Sequence, residues 1–150
     1  MPIFYGILIA TLVIDFLTKY LTVKILIPYQ SFSLIGKYLQ ITYVQNRGAA
    51  FGILPEQKYF LIIVSIAVVI FILWFYYKEK PKGILWEAGL ALLLGGTLGN
   101  LYNRIFQGYV IDFIDFNFWP TFNSADIAIN IGVLLLVYQV FFNTDKKKKD

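Results

Sequence analysis

Residues 59–77, YFLIIVSIAVVIFILWFYY, contain no charged side chain. A helix that crosses the hydrocarbon core of a bilayer needs about 20 mostly apolar residues, so this run calls for lipid rather than water. Three further runs meet the same requirement, at residues 3–20, 86–104 and 125–142. The composition agrees, since 59% of residues are hydrophobic and 15% are charged, against roughly 25% charged in soluble domains. The expected fold is an all-α membrane protein, a bundle of four transmembrane helices in a single domain over residues 1–150. The first run is too long and too polar at its end for a cleaved signal peptide, and no small-residue cleavage site follows it. The connection over residues 21–58 contains LQITYVQN. Its Thr, Tyr, Val and Ile alternate roughly, which reads as short strands lying on the membrane surface.

Four spans place both termini on one side. KEKPK, between the second and third spans, and the terminal KKKKD then share that side. Positively charged loops stay in the cytoplasm. Both termini are therefore expected inside, with residues 21–58 and 105–124 outside. A basic tail next to an apolar helix reads as a topology signal, and no nucleic-acid partner is expected.

The chain has neither Cys nor His. That excludes disulfides, thiol nucleophiles and His-assisted triads, and disfavours a zinc site. Acid–base chemistry falls to Asp, Glu, Lys or Tyr. The polar residues that stand out all lie at outward ends of spans or in outward connections. Asp15 and Lys19 are four apart and share a helix face. They read as a structural ion pair or as interfacial snorkelling, with direct catalysis as the alternative. Gly95 and Gly99, with Gly96 beside them, let another helix come close. Asn100, Asn103 and Arg104 follow at spacings of three and four and read as one polar face. Polar groups in such helices face the bundle interior or a water-filled cavity.

In GYVIDFIDFNFWPTFNSADIAI, residues 108–129, Asn123 or Ser124 is a natural N-cap for the fourth span. Asp126 then falls in the first turn, where the helix dipole favours its charged form. Capping accounts for that acid alone. Asp112 precedes it inside an apolar run, and Asp115 points to the opposite face of an extended segment. Pro120 turns the chain, so Asp112 can return toward Asp126. Burial and like charge would push Asp112 toward its protonated form while Asp126 stays ionised. One acid, one base and a water between them is the aspartic-protease arrangement. The residues alone leave open a small transporter or proton relay built on the same carboxylates.

Five motifs in order resemble the bacterial lipoprotein signal peptidases, also called signal peptidase II. They are DFLTK (15–19), NRGAAFG (46–52), GGTLGNLYNR (95–104), VIDFIDF (110–116) and FNSADIAINIG (122–132). The resemblance implies an aspartic endopeptidase of the bacterial inner membrane with its active site at the outer leaflet. It would remove the signal peptide from a prolipoprotein, cutting before a cysteine that already carries a diacylglyceryl group. By motif position Asp112 and Asp126 are the catalytic pair. Asn46, Gly48, Asn100, Arg104 and Asn123 bind or orient substrate, and Asp15 and Lys19 support the structure. Water is the nucleophile, so neither a metal nor an organic cofactor is needed. The expected partners are the lipidated substrate and membrane lipids, and the expected working unit is a monomer. One departure stands out: Asn103 occupies the position where the family usually has Asp, which removes a possible charge partner for Arg104.

Overall fold

The computed structural model describes residues 2–48 and 57–142. The elements run α1 (Pro2–Ile25), β1 (Ser31–Ile35), β2 (Leu39–Asn46), α2 (Lys58–Glu79), α3 (Ile84–Phe106), β3 (Val110–Asp115) and α4 (Ser124–Phe142). All four helices are long and apolar enough to cross a membrane. Each expected span lies inside one of them. The first runs five residues further than expected, through LTVKI, because nothing there breaks a helix. The tetralysine tail and residues 49–52 of the NRGAAFG motif lie outside the described residues.

α3 is the centre of the bundle and packs against α1, α2 and α4. Its glycines explain how. A Cβ on Gly95 would meet Thr11 of α1, one on Gly99 would meet Asp15 of α1, and one on Gly96 would strike the Ala125 carbonyl of α4. Lower down, Gly89 of α3 and Gly132 of α4 face each other's carbonyl oxygens. Without Cβ atoms the backbones approach closely, which is how helices associate where water supplies no drive. At the end away from the sheet, Phe4, Ile72, Tyr76, Leu90, Ala91 and Leu94 form the dry core. Phe4 stacks on Tyr76 at 3.9 Å between ring centroids. Large side chains such as Phe71 and Leu134 stay exposed on the outside, as a lipid-facing surface requires.

The outward connections do not stay separate. β1, β2 and β3 form one antiparallel sheet in that order. The expected strands of residues 21–58 thus recruit a third from the connection after α3. Val44 pairs with Asp112 and Asn46 with Val110. Below the sheet Leu26, Tyr43 and Ile111 cluster, which anchors it to the end of the bundle.

Candidate active site

β3 carries Asp112 inward and Asp115 outward, as its alternation requires. Asp112 is 2% exposed. Asp115 instead accepts hydrogen bonds from the Thr42 hydroxyl and the Asn117 amide, 2.8 Å each. After Asn117 and Pro120 the chain folds back. Phe122 pairs with Ile114 through backbone bonds of 2.8 and 3.1 Å. That return sets Asn123, the cap of α4, beside Asp112.

The cap is reciprocal. The Asp126 amide donates to Asn123 Oδ1 at 3.0 Å, and the Asn123 amide donates to Asp126 Oδ2 at 3.1 Å. This is a capping box with Asn and Asp in its two roles. It also leaves the Asn123 Nδ2 free to serve Asp112. That nitrogen donates to Asp112 Oδ1 at 2.6 Å and to Asn100 Oδ1 at 3.2 Å.

Asn46 and Asn100 complete the frame. Asn46 Nδ2 donates to Asp112 Oδ2 at 2.8 Å. Its own Oδ1 accepts the Gly48 amide at 2.9 Å, which fixes the way the side chain points. Asn100 Nδ2 donates to Asp126 Oδ1 at 2.8 Å. Its Oδ1 accepts Lys19 Nζ at 3.0 Å. Every oxygen of both carboxylates therefore receives one N–H. Both acids open on a cavity of about 360 Å³ that Asn46, Asn100, Arg104 and Trp119 also line. Arg104 is half-buried there, and among the described residues no carboxylate lies within ion-pair distance of it.

The Asp112 carboxyl is pushed up to about 7. Burial is the largest cause and the Asp126 charge the second; the amides of Asn46 and Asn123 hold it back. A carboxyl in that range keeps a proton near neutral pH, the condition for one member of an acid–base pair.

Asp15 and Lys19 are both buried and form an ion pair of 2.8 Å. The sequence did not foretell the rest of their surroundings. Asp15 Oδ1 accepts the Ser124 hydroxyl at 2.8 Å and the Ala125 amide at 3.0 Å. Thr18 also meets Ser124, at 2.9 Å. α1 thus holds the first turn of α4. Asn130 was missed as well: it lines the cavity and donates to the Asp126 carbonyl at 2.9 Å. Its signal was an amide four residues after Asp126 in an apolar helix.

One expectation fails. Asn103 does not share a face with Asn100 and Arg104. Asn100 and Arg104 line the cavity, whereas Asn103 turns to the far side of α3 with Gln107 and faces α1. At 100° per residue, positions 103 and 104 cannot point the same way. The missing carboxylate at 103 therefore takes nothing from the polar frame around the acids.

Residues 7–142 match the family model described as signal peptidase (SPase) II. The lipoprotein signal peptidase of Halothermothrix orenii is 41% identical over 133 residues, 89% of this chain and 91% of that one. That of Moorella thermoacetica is 41% identical over 93% of each chain. A bacterial membrane enzyme solved by the in meso method at 2.3 Å resolution superposes with a TM-score of 0.92, at 32% identity, over 100% of this chain and 94% of its own. With four apolar helices around a shared fold and a sequence match over nearly its whole length, the chain belongs to the signal peptidase II family, a multi-pass peptidase of bacterial membranes.

Proposed function

We propose that the protein is an aspartic endopeptidase that removes signal peptides from diacylglyceryl-modified prolipoproteins, cutting just before the lipidated cysteine. The observation that carries the proposal is the pair Asp112 and Asp126 on one cavity, every carboxylate oxygen held by an N–H donor. Asp126 takes a proton from water as the water oxygen attacks the scissile carbonyl carbon. Asp112 gives its proton to the carbonyl oxygen. The tetrahedral intermediate then collapses: the C–N bond breaks, the leaving nitrogen takes up the proton held by Asp126, and one hydroxyl of the intermediate returns its proton to Asp112. The asparagines keep the two carboxyl groups fixed through these transfers. Arg104, with Asn46 and the Gly48 turn, positions the peptide.

A diacylglyceryl group keeps the substrate in the bilayer, so its scissile bond sits at the interface. A site on the first turn of α4 and on the strand beside it, at the end of an apolar span, suits that depth. Lys78, Lys80 and Lys82, at the turn from α2 to α3, favour a cytoplasmic placement of that end. The termini are then cytoplasmic and the site opens at the outer leaflet of the inner membrane. The enzyme works there as a monomer of one domain.

The test is a gel-shift cleavage assay with purified protein and a diacylglyceryl-modified prolipoprotein. Wild type should release the signal peptide. Asp112→Asn and Asp126→Asn, folded as judged by their melting curves, should not. Turnover by either variant would remove that residue from the mechanism.

A further inference from the structure

On the far side of α3 from the carboxylates, a groove of about 730 Å³ runs between α1 and α3. Its walls are mostly apolar, among them Leu12, Phe16, Val23, Leu98 and Ile105, with the paired Asp15 and Lys19 between them. From Leu12 to Val23 it follows α1 for about 16 Å, at ~1.5 Å per residue. That is roughly half of a ~30 Å hydrocarbon core, the depth of one leaflet. Its sides are open to lipid, since Phe16 and Ile105 are exposed.

The end nearer the sheet is polar. Lys19 reaches it, but its ammonium is committed to Asp15 and Asn100. Asn103 is not committed. It is 4% exposed. Its Nδ2 donates to Gln107 Oε1 across a long 3.2 Å, and its buried Oδ1 has no partner among the described residues. An unmet acceptor inside a membrane-spanning helix is unfavourable, because lipid tails offer no donor. A lipid headgroup can.

We propose that this groove binds a phospholipid of the leaflet that holds the carboxylates. One acyl chain lies along α1 and α3. A headgroup O–H or N–H, from glycerol or ethanolamine, donates to Asn103 Oδ1, while Asn103 Nδ2 keeps Gln107. The occupant follows from the shape: the groove is one leaflet deep, its Asp15 and Lys19 are paired with each other, and Asn103 offers it an unmet acceptor nearer the sheet. A partner helix would need apolar surface across the whole bilayer. A choline headgroup has no N–H or O–H and would leave Asn103 unmet.

The experiment is native mass spectrometry of the full chain released from detergent. It is titrated in turn with phosphatidylglycerol, phosphatidylethanolamine and phosphatidylcholine of identical acyl chains. The first two should be retained about two- to tenfold over the third, the range of one hydrogen bond. Asn103→Leu should erase that ranking and still bind all three. Ile105→Trp fills the groove from the lipid side without touching the core, and should lower retention of all three. Equal retention by wild type would overturn the proposal. So would a ranking that survives both substitutions, or a dimer mass that forms as lipid is lost, which would give the groove to a second copy. If Asn103→Leu does not fold, the wild-type ranking and the drop in retention of all three lipids in Ile105→Trp decide the matter.

Discussion

Asn123 and Asp126 cap each other at the start of α4, and the same Asn123 side chain donates to Asp112 at 2.6 Å. One residue thus starts a helix and holds both carboxyl groups in register. The two duties can be separated. Asn123→Asp keeps an acceptor for the Asp126 amide but loses the donor to Asp112 and adds a like charge. It should melt below wild type at neutral pH, where the buried like charge acts, recover toward it as pH falls, and cleave at least about 10²-fold more slowly. Asn123→Ala should lose activity and also about 1 kcal/mol of helix cap, seen as a lower melting temperature.

The raised Asp112 carboxyl sets a pH dependence. Its folded value of about 7 lies above the unfolded value, which is about 3.9. Between those values the unfolded chain gives up a proton that the folded chain keeps, so stability falls as pH rises through the window and levels off above it. Asp112→Asn has no such proton to lose. Its melting temperature should exceed that of wild type above about pH 7 and converge on it near about pH 4. A difference constant across that range would contradict the assignment. Wild-type cleavage should decline above about 7 as Asp112 loses its proton.

Lys19 and Asp15 are buried together at 2.8 Å. Lys19→Met leaves a buried carboxylate whose remaining partners are Ser124 and Ala125. Breaking such a pair costs about 3–5 kcal/mol. The double variant Asp15→Asn with Lys19→Met should melt above Lys19→Met alone, since no unpaired charge remains. Additive losses in that cycle would mean the two residues do not act on each other.

Gly96→Ala would place a methyl group against the Ala125 carbonyl oxygen and Ile129. The α4 N-terminus must then move, and Asp126 with it. Overpacking of this kind costs about 1–3 kcal/mol. Both melting temperature and cleavage should fall. Gly6→Ala, where a Cβ meets nothing within 4 Å, is the matched control and should leave both unchanged or slightly raise stability.

The spans were legible because apolar length alone specifies them, and residues 59–77 left no other reading. The return of Asp112 to Asp126 was legible too, since a strand, a proline and a cap within fifteen positions constrain the path. Asp15 on Ser124 and Ala125 was not. Those groups are more than a hundred positions apart, and no local pattern links them. Nor did the sequence say that VIDFID would pair with LQITYVQN, because strand partnership depends on which helix ends meet. Asn103 was misread for a simpler reason. Spacings of three and four from Asn100 hide the angle between neighbours 103 and 104.

The seat of Asp126 is built from three helices far apart in the chain. Asp15 on α1 receives the α4 amide, Asn100 on α3 holds the Asp126 carboxylate, and α4 contributes the acid itself. A chain still being inserted, with α4 unformed, has Asp112 but no partner for it. On the proposed mechanism, proteolytic competence is then a property of the completed bundle and of no part of it.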